Sequence, residues 1–307
     1  MIVNPLHPIF AAELVDADLT QEPSQELVDT VENAMAQYGI LVVRDCRISD
    51  EQHLRFSRAF GPLEIPSRPI GAPSPERRRI APELFFAGNL DLDGKIIPYA
   101  SEARKLAKGA ERFHTDSSFH TMPTKWSMLL GHETPPPSAG GDTWFIDARA
   151  VYDDLPQATK DRIDGLVGIH DFWKGRQNAG LKGEITEEQR RTMPFPPAEH
   201  PLVRTMPYGR KSLFIGGHCV GVAGMSEEEG HALVEQLYAH ATQDQYVHRH
   251  QWTEGDIVIW ENRCALHAAT PLETDAYRRD MRRVTLNERG PEMDAYEERR
   301  LREAATA

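Results

Sequence analysis

The residues best suited to chemistry are His114 and Asp116, two apart in the segment FHTDSSF at 113–119. On an extended strand, residues two apart project from the same face, so the imidazole and the carboxylate can reach one point. A neutral nitrogen and an anionic oxygen on one face suit a divalent first-row metal, and a second imidazole completes a two-histidine, one-carboxylate facial triad. His267, in WENRCALHAA after the apolar run DIVIW, is the candidate for that third ligand. Three ligands on one face of an octahedron leave three positions open, enough for a bidentate keto acid and dioxygen. A closed four-ligand zinc site would block such chemistry. A His-x-Asp pair is a weak signal by itself, because exposed His and Asp are common and the chain has 13 histidines. It gains weight only from its company.

That company lies partly downstream, where YRRDMRRVTL carries Arg278, Arg279, Arg282 and Arg283. If this is a strand, Arg279 and Arg283 share a face with Met281, while Arg278 and Arg282 take the other. An enzyme that uses a dicarboxylic keto acid needs a guanidinium deep in the fold, since its fork of donors matches a carboxylate bidentately. It also needs a hydroxyl donor nearby. Thr143 in SAGGDTWF can supply one, with Gly140 and Gly141 permitting a tight turn ahead of a strand. Taken singly, GGDT reads equally as a simple turn, and the four arginines as a solvated strand edge facing an acidic surface.

The elements that must position these groups read as α/β first and β afterwards. Ser24 and Gly39 are candidate caps for a helix whose apolar residues Leu27, Val28, Val31, Ala34 and Met35 recur at helical spacing. ILVVRD follows as a buried strand, and Ser49 opens a second helix that stops at Gly61 and Pro62. From about residue 80, short strands are expected at ELFFAGNL, TKWSMLLGHE, GDTWFIDA, GLVGIHDF, KSLFIGG, YVHRHQW, DIVIWEN and MRRVTL, as in an antiparallel sandwich or barrel. Ser226 and Glu229 form a capping box for one more helix, to Thr242. The polar stretch 174–201 reads as an insertion or lid, and 291–307 as an exposed C-terminal helix, within a single domain spanning 1–307.

Bulk composition narrows the function classes. An apolar fraction of 40% is enough for a sizeable core. The net charge of −12, with no basic run, argues against nucleic acid as a partner. No stretch reaches 18 uninterrupted apolar residues, so a membrane span is not expected. Cys46, Cys219 and Cys264 make neither a disulfide framework nor a zinc knuckle, and the N-terminal residues do not read as a secretory leader, so the cytoplasm is the expected compartment.

In order along the chain, H-T-D-S-S-F, G-G-D-T-x-F, W-E-N-R-x-x-x-H and R-R-x-x-R-R resemble the iron(II)/2-oxoglutarate dioxygenase family of taurine dioxygenase and 2,4-dichlorophenoxyacetate dioxygenase. NPLHPIFAAE, FSRAFGPLE, LDGK, PLVRT and GRKSLFIGGH are similar to its phenoxyacetate branch in particular. The resemblance implies a mainly β fold with flanking helices, the double-stranded β-helix or jelly roll. It implies iron(II) held by His114, Asp116 and His267, with 2-oxoglutarate as co-substrate and dioxygen as oxidant. Thr143 and Arg279 would bind the distal carboxylate of 2-oxoglutarate. Arg283 and His218 would meet a small acidic substrate, and Trp260 and Asn262 would support the third ligand. Such relatives are commonly homo-oligomeric, so a homo-oligomer is expected here. The implied reaction is hydroxylation of an aryloxyalkanoate with ether cleavage. The same chemistry on taurine or another alkyl sulfonate or sulfate is the alternative, and a non-catalytic cupin-like metal-binding module is a second one. Two departures stand out. The segment between His267 and Arg279 is one residue longer than the phenoxyacetate pattern and contains Pro271. Met206 and Gly221 stand where polar pocket residues are expected, which points to a substrate related to phenoxyacetate rather than that compound.

Overall fold

A computed structural model describes residues 1–66, 80–101, 104, 108–180, 184–193 and 195–288 of the chain. The expected C-terminal helix at 291–307 lies outside the described residues.

The N-terminal part supplies β1 (Ile2–Pro5), β2 (Ala12–Val15), α1 (Gln25–Tyr38), β3 (Ile40–Val43), α2 (Asp50–Arg58) and β4 (Phe85–Phe86). The middle supplies β5 (Thr124–Glu133), β6 (Thr143–Asp147), α3 (Ala148–Asp153), α4 (Gln157–Ile163), β7 (Val167–His170), α5 (Phe172–Asn178) and α6 (Glu187–Thr192). It continues with β8 (Ala198–Pro201), β9 (Val203–Thr205), β10 (Lys211–Leu213) and β11 (Cys219–Val222). The last part is α7 (Glu227–Ala241), β12 (Val247–His250), β13 (Ile257–Glu261), β14 (Ala265–Ala269) and β15 (Asp280–Asn287).

One large sheet runs in the order β1-β2-β3-β13-β5-β15-β4, and smaller sheets β12-β6-β14 and β11-β7-β8 complete the other side. The central strands β3 and β13 are near-continuous apolar runs because both of their faces are covered. Along β13, Ile257 and Ile259 pack with Leu27, Val31 and Met35 of α1 and Phe56 of α2. The alternating Val258 and Trp260 meet Phe145 of β6 and Ala265 of β14 across the interior. A third cluster joins Ile146 and Leu266 to Leu233, Val234 and Leu237 of α7. The large sheet facing the smaller ones across one interior, in a single domain, is the jelly roll that the motifs imply.

The helix ends follow local chemistry. The Ser24 hydroxyl accepts from Leu27 N, and Gly39 ends α1 at φ 70°. Ser49 with Gln52, and Ser226 with Glu229, form reciprocal capping boxes on α2 and α7.

Three expectations need correcting. ELFFAGNL contributes only the two residues of β4, since its other residues are drawn into turns. The stretch 174–201 is not lid throughout. Gly175 of α5 is buried, and Ala198–Pro201 is β8, paired with Val167–His170 of β7. His114 makes an isolated bridge rather than lying in a strand with Asp116.

Candidate active site

His267 sits in the middle of β14, opposite Phe145 of β6. On its other side it exchanges two backbone hydrogen bonds with His114, of 2.9 and 2.8 Å, which bring the imidazole centroids to 4.2 Å. Immediately after His114 the chain turns, and Ser117 takes a left-handed φ of 52°. Asp116 therefore reaches the histidines through this turn and not by strand alternation. The turn is fastened to Asn262, whose Oδ1 accepts from Asp116 N at 3.1 Å and whose carbonyl accepts from Thr115 Oγ1 at 2.7 Å. Ligand-capable atoms of His114, Asp116 and His267 all lie within 4.8 Å of one another.

The electrostatics suit a cation. Burial disfavours ionisation of Asp116, but the Arg283 guanidinium, helped by the Ser127 hydrogen bond, outweighs it and holds the carboxyl below its usual range. Burial, reinforced by His114, pushes the His267 imidazole down to about 3, and burial also lowers His114. Neutral imidazoles beside an ionised carboxylate are the protonation states that a metal requires. His114 Nδ1 lies 2.9 Å from the Arg112 carbonyl. A carbonyl can only accept, so Nδ1 carries the proton and Nε2 is left for a metal. Ser127 Oγ donates to Asp116 Oδ2 at 2.7 Å, and Asn262 Nδ2 donates to Ser127 at 2.9 Å. This donor set fits iron(II).

The four arginines of β15 divide as period-two geometry requires. Arg278 pairs with Glu133, and Arg282 with Asp50 and Asp280, away from the interior. Arg279 and Arg283 line an interior cavity of about 270 Å³ together with His114, His267, Thr143 and Trp260. The Arg279 guanidinium donates to the carbonyls of Gly141 and Ala87. Burial lowers it to about 10, with Asp142 opposing and Arg104 adding to the effect. A buried guanidinium held by carbonyls is prepared for an anion. Thr143, opposite Ala269 in the β6–β14 ladder, accepts from Trp252 Nε1 at 3.0 Å. The indole can only donate, so the threonine hydroxyl keeps its own proton to give.

Other expected residues fall less simply. Arg283 Nη1 pairs with Asp116 Oδ1, its guanidinium lies 4.7 Å from the Phe85 ring, and its buried Nε has no hydrogen-bond partner among the described residues. His218 stands 5.8 Å from His114 and stacks on Phe172 at 5.9 Å, outside the cavity lining. Trp260 lies 4.7 Å from the His267 ring, whereas Asn262 fastens the Asp116 turn rather than the third ligand. Met206 is buried beyond the cavity, and Gly221 backs Gly230 of α7, so neither tunes the pocket as expected. Phe172 and Phe195 pack on Phe119 and on each other. Ser127 escaped the sequence reading, although a lone small hydroxyl within the apolar run of β5 was a usable signal.

The sequence model of the family described as "Taurine catabolism dioxygenase TauD, TfdA family" matches residues 2–285. The chain belongs to this family. It is an iron(II)- and 2-oxoglutarate-dependent dioxygenase, with dioxygen as the oxidant. An alpha-ketoglutarate-dependent 2,4-dichlorophenoxyacetate dioxygenase of Cupriavidus pinatubonensis is 39% identical, with 93% of this chain and 97% of that protein aligned. An (S)-phenoxypropionate/alpha-ketoglutarate-dioxygenase of Sphingobium herbicidovorans is 31% identical over 88% of this chain and 90% of its own length. Among solved structures, AAD-2 in complex with Mn(II) and N-oxalylglycine superposes with a TM-score of 0.84 at 34% identity, covering 95% of this chain and 99% of that one. The family assignment removes the non-catalytic cupin-like reading.

Proposed function

We propose that this dioxygenase oxidises a small aromatic carboxylic acid, an aryloxyalkanoate such as 2,4-dichlorophenoxyacetate or a close relative. The observation that carries the reading is Arg283, a cavity guanidinium with a buried Nε that finds no acceptor among the described residues, set against the Phe85 ring. A cation beside an apolar wall suits an acid with an aromatic body. The names of the relatives at 39% and 31% identity support the same substrate class.

In this reading His114, Asp116 and His267 hold the iron. Arg279 and Thr143 hold the distal carboxylate of 2-oxoglutarate, and His218 stands behind His114 rather than on the cavity wall. Bound iron(II), with 2-oxoglutarate and dioxygen, supplies the oxidising power that breaks a C–H bond and releases succinate and CO2. Arg283 fixes the substrate carboxylate so that the carbon beside the ether oxygen faces the metal. Hydroxylation there gives a hemiacetal, which collapses to a phenol and glyoxylate. Trp260 and Leu129 keep the cavity wall dry. An alkyl sulfonate or sulfate ester also presents an anion to Arg283, and an alkylsulfatase of Acinetobacter baylyi is 28% identical.

Succinate release should therefore be scored with aryloxyalkanoates, arylalkanoates, alkyl sulfonates and sulfate esters. Stimulation by aryloxyalkanoates with phenol formation is expected, and silence with every aryl acid would overturn the substrate class.

We also propose self-association and a cytoplasmic setting. Exposed Ile2, Leu6 and Ile9 around the edge strand β1 support the first, and light scattering tests it. Three free cysteines support the second, and cell fractionation tests it. Among the described residues no helix is long and apolar enough to cross a membrane.

A further inference from the structure

The loop between β14 and β15, which contains Pro271, is strapped from outside by residues 97–101 and Arg104. Tyr99 N donates to Asp275 Oδ1 at 2.7 Å and Tyr99 Oη donates to Glu273 Oε1 at 2.9 Å. Arg104 Nη2 donates to the Leu272 carbonyl at 2.6 Å, and the guanidinium lies 5.6 Å from the Tyr99 ring. Arg104 thus comes from the strap but lines the same cavity as Arg279 and Thr143. Its Nη1 is buried and has no hydrogen-bond partner among the described residues. It is also close enough to Arg279 to weigh on that residue's charge. Two guanidiniums converging on one cavity, anchored by carbonyl oxygens, repel each other and lose hydration. An anion between them relieves both costs. A carboxylate has about four lone-pair sites, room for a second cation beside Arg279 and the Thr143 hydroxyl.

We propose that Arg104 is a second cationic contact for the distal carboxylate of 2-oxoglutarate, delivered by the strap that closes the co-substrate end of the cavity. The proposal rests on the reading that Arg279 and Thr143 hold that carboxylate. It gives the longer loop a purpose: the Leu272 carbonyl aims Arg104 inward. It also gives the strap a dependence on the ligand, since an occupied carboxylate site ties Arg104 to Arg279 at the start of β15 through the bound acid.

The test is anaerobic titration of the iron(II)-loaded protein, followed by its metal-to-ligand charge-transfer band and by thermal stabilisation of the Mn(II)-loaded protein. Two keto acids are compared. One is 2-oxoglutarate; the other is 2-oxovalerate, which has the same chain length with a methyl in place of the distal carboxylate. Wild type, Arg104→Gln, Arg104→Lys and Arg279→Gln are titrated with each. Arg104→Gln should weaken 2-oxoglutarate at least about tenfold while leaving 2-oxovalerate within about twofold, and Arg104→Lys should recover part of the loss. Unchanged 2-oxoglutarate binding in Arg104→Gln overturns the proposal. Equal loss of both acids overturns it too, because that is the signature of a loosened strap. If Arg279→Gln fails to discriminate between the acids, the underlying carboxylate assignment falls, and this proposal with it.

Discussion

Asn262 carries more of the site than its neutral side chain suggests. Its Oδ1 accepts from Asp116 N and Trp260 Nε1, and its Nδ2 orients the Ser127 hydroxyl that donates to Asp116. Asn262→Ala leaves those donors without acceptors and frees the carboxylate to rotate. Metal affinity, measured by chelator competition, should fall about 10- to 100-fold, while the fold loses about 1–3 kcal/mol. Unchanged metal affinity would show that Asp116 holds its orientation without this support. At this scale the sequence was informative about residue types and poor about who supports whom. The ligand candidates announce themselves by chemistry and spacing. The Asn262–Asp116 bond spans 146 positions, and no local pattern encodes it.

Among the elements, the turn ahead of β6 does the finest positioning. Gly141 has φ 84°, and a Cβ there would lie 2.7 Å from Arg279 Nη1. Gly141→Ala should cost about 1–2 kcal/mol through the left-handed backbone and displace the guanidinium from its carbonyl. The KM for 2-oxoglutarate should rise about tenfold, a shift of about 1.4 kcal/mol in binding, with kcat little changed. Gly165→Ala is the control, with φ 72° and nothing within 4 Å of the added carbon. If both variants give the same kinetics, the turn acts through stability alone. Caps and turns of this kind were readable: Ser24, Ser49 and Ser226 mark helix starts because a hydroxyl meeting an orphan N–H is a local event. β14 was not readable. ALHAA is short and rich in alanine, and it becomes a strand only because β6 and His114 pair with it. β8, β9 and β11 escaped for the same reason, since three or four residues carry too little pattern.

For the whole molecule, the interior stores histidines in their neutral form. Burial lowers His53, His170 and His267 to about 3 and His248 to about 4. These groups take up protons near pH 6.5 when the chain unfolds but not while it is folded. Stability should therefore be flat above pH 6.5 and fall as the pH drops toward 4. His170 is distant enough from the ligand set to test this, since it packs on His200 and Phe214. His170→Phe should remove about 2 kcal/mol of the loss between pH 6.5 and pH 5, read as a shallower acid limb in calorimetric Tm against pH. An unaltered limb would mean that His170 does not drive acid unfolding. The double-sheet architecture and its single interior were legible at this scale through strand punctuation and the ordered motifs. The pairing order was not, because β13 lies between β3 and β5, strands far apart in sequence. The bridge between His114 and His267 has a consequence in time rather than in space. Those two backbone bonds join the middle of the chain to its last strands, and contacts of such long range are the slowest to form. The proposed iron site therefore comes into being only when the topology is complete, and a half-folded chain has no place to capture a redox-active metal.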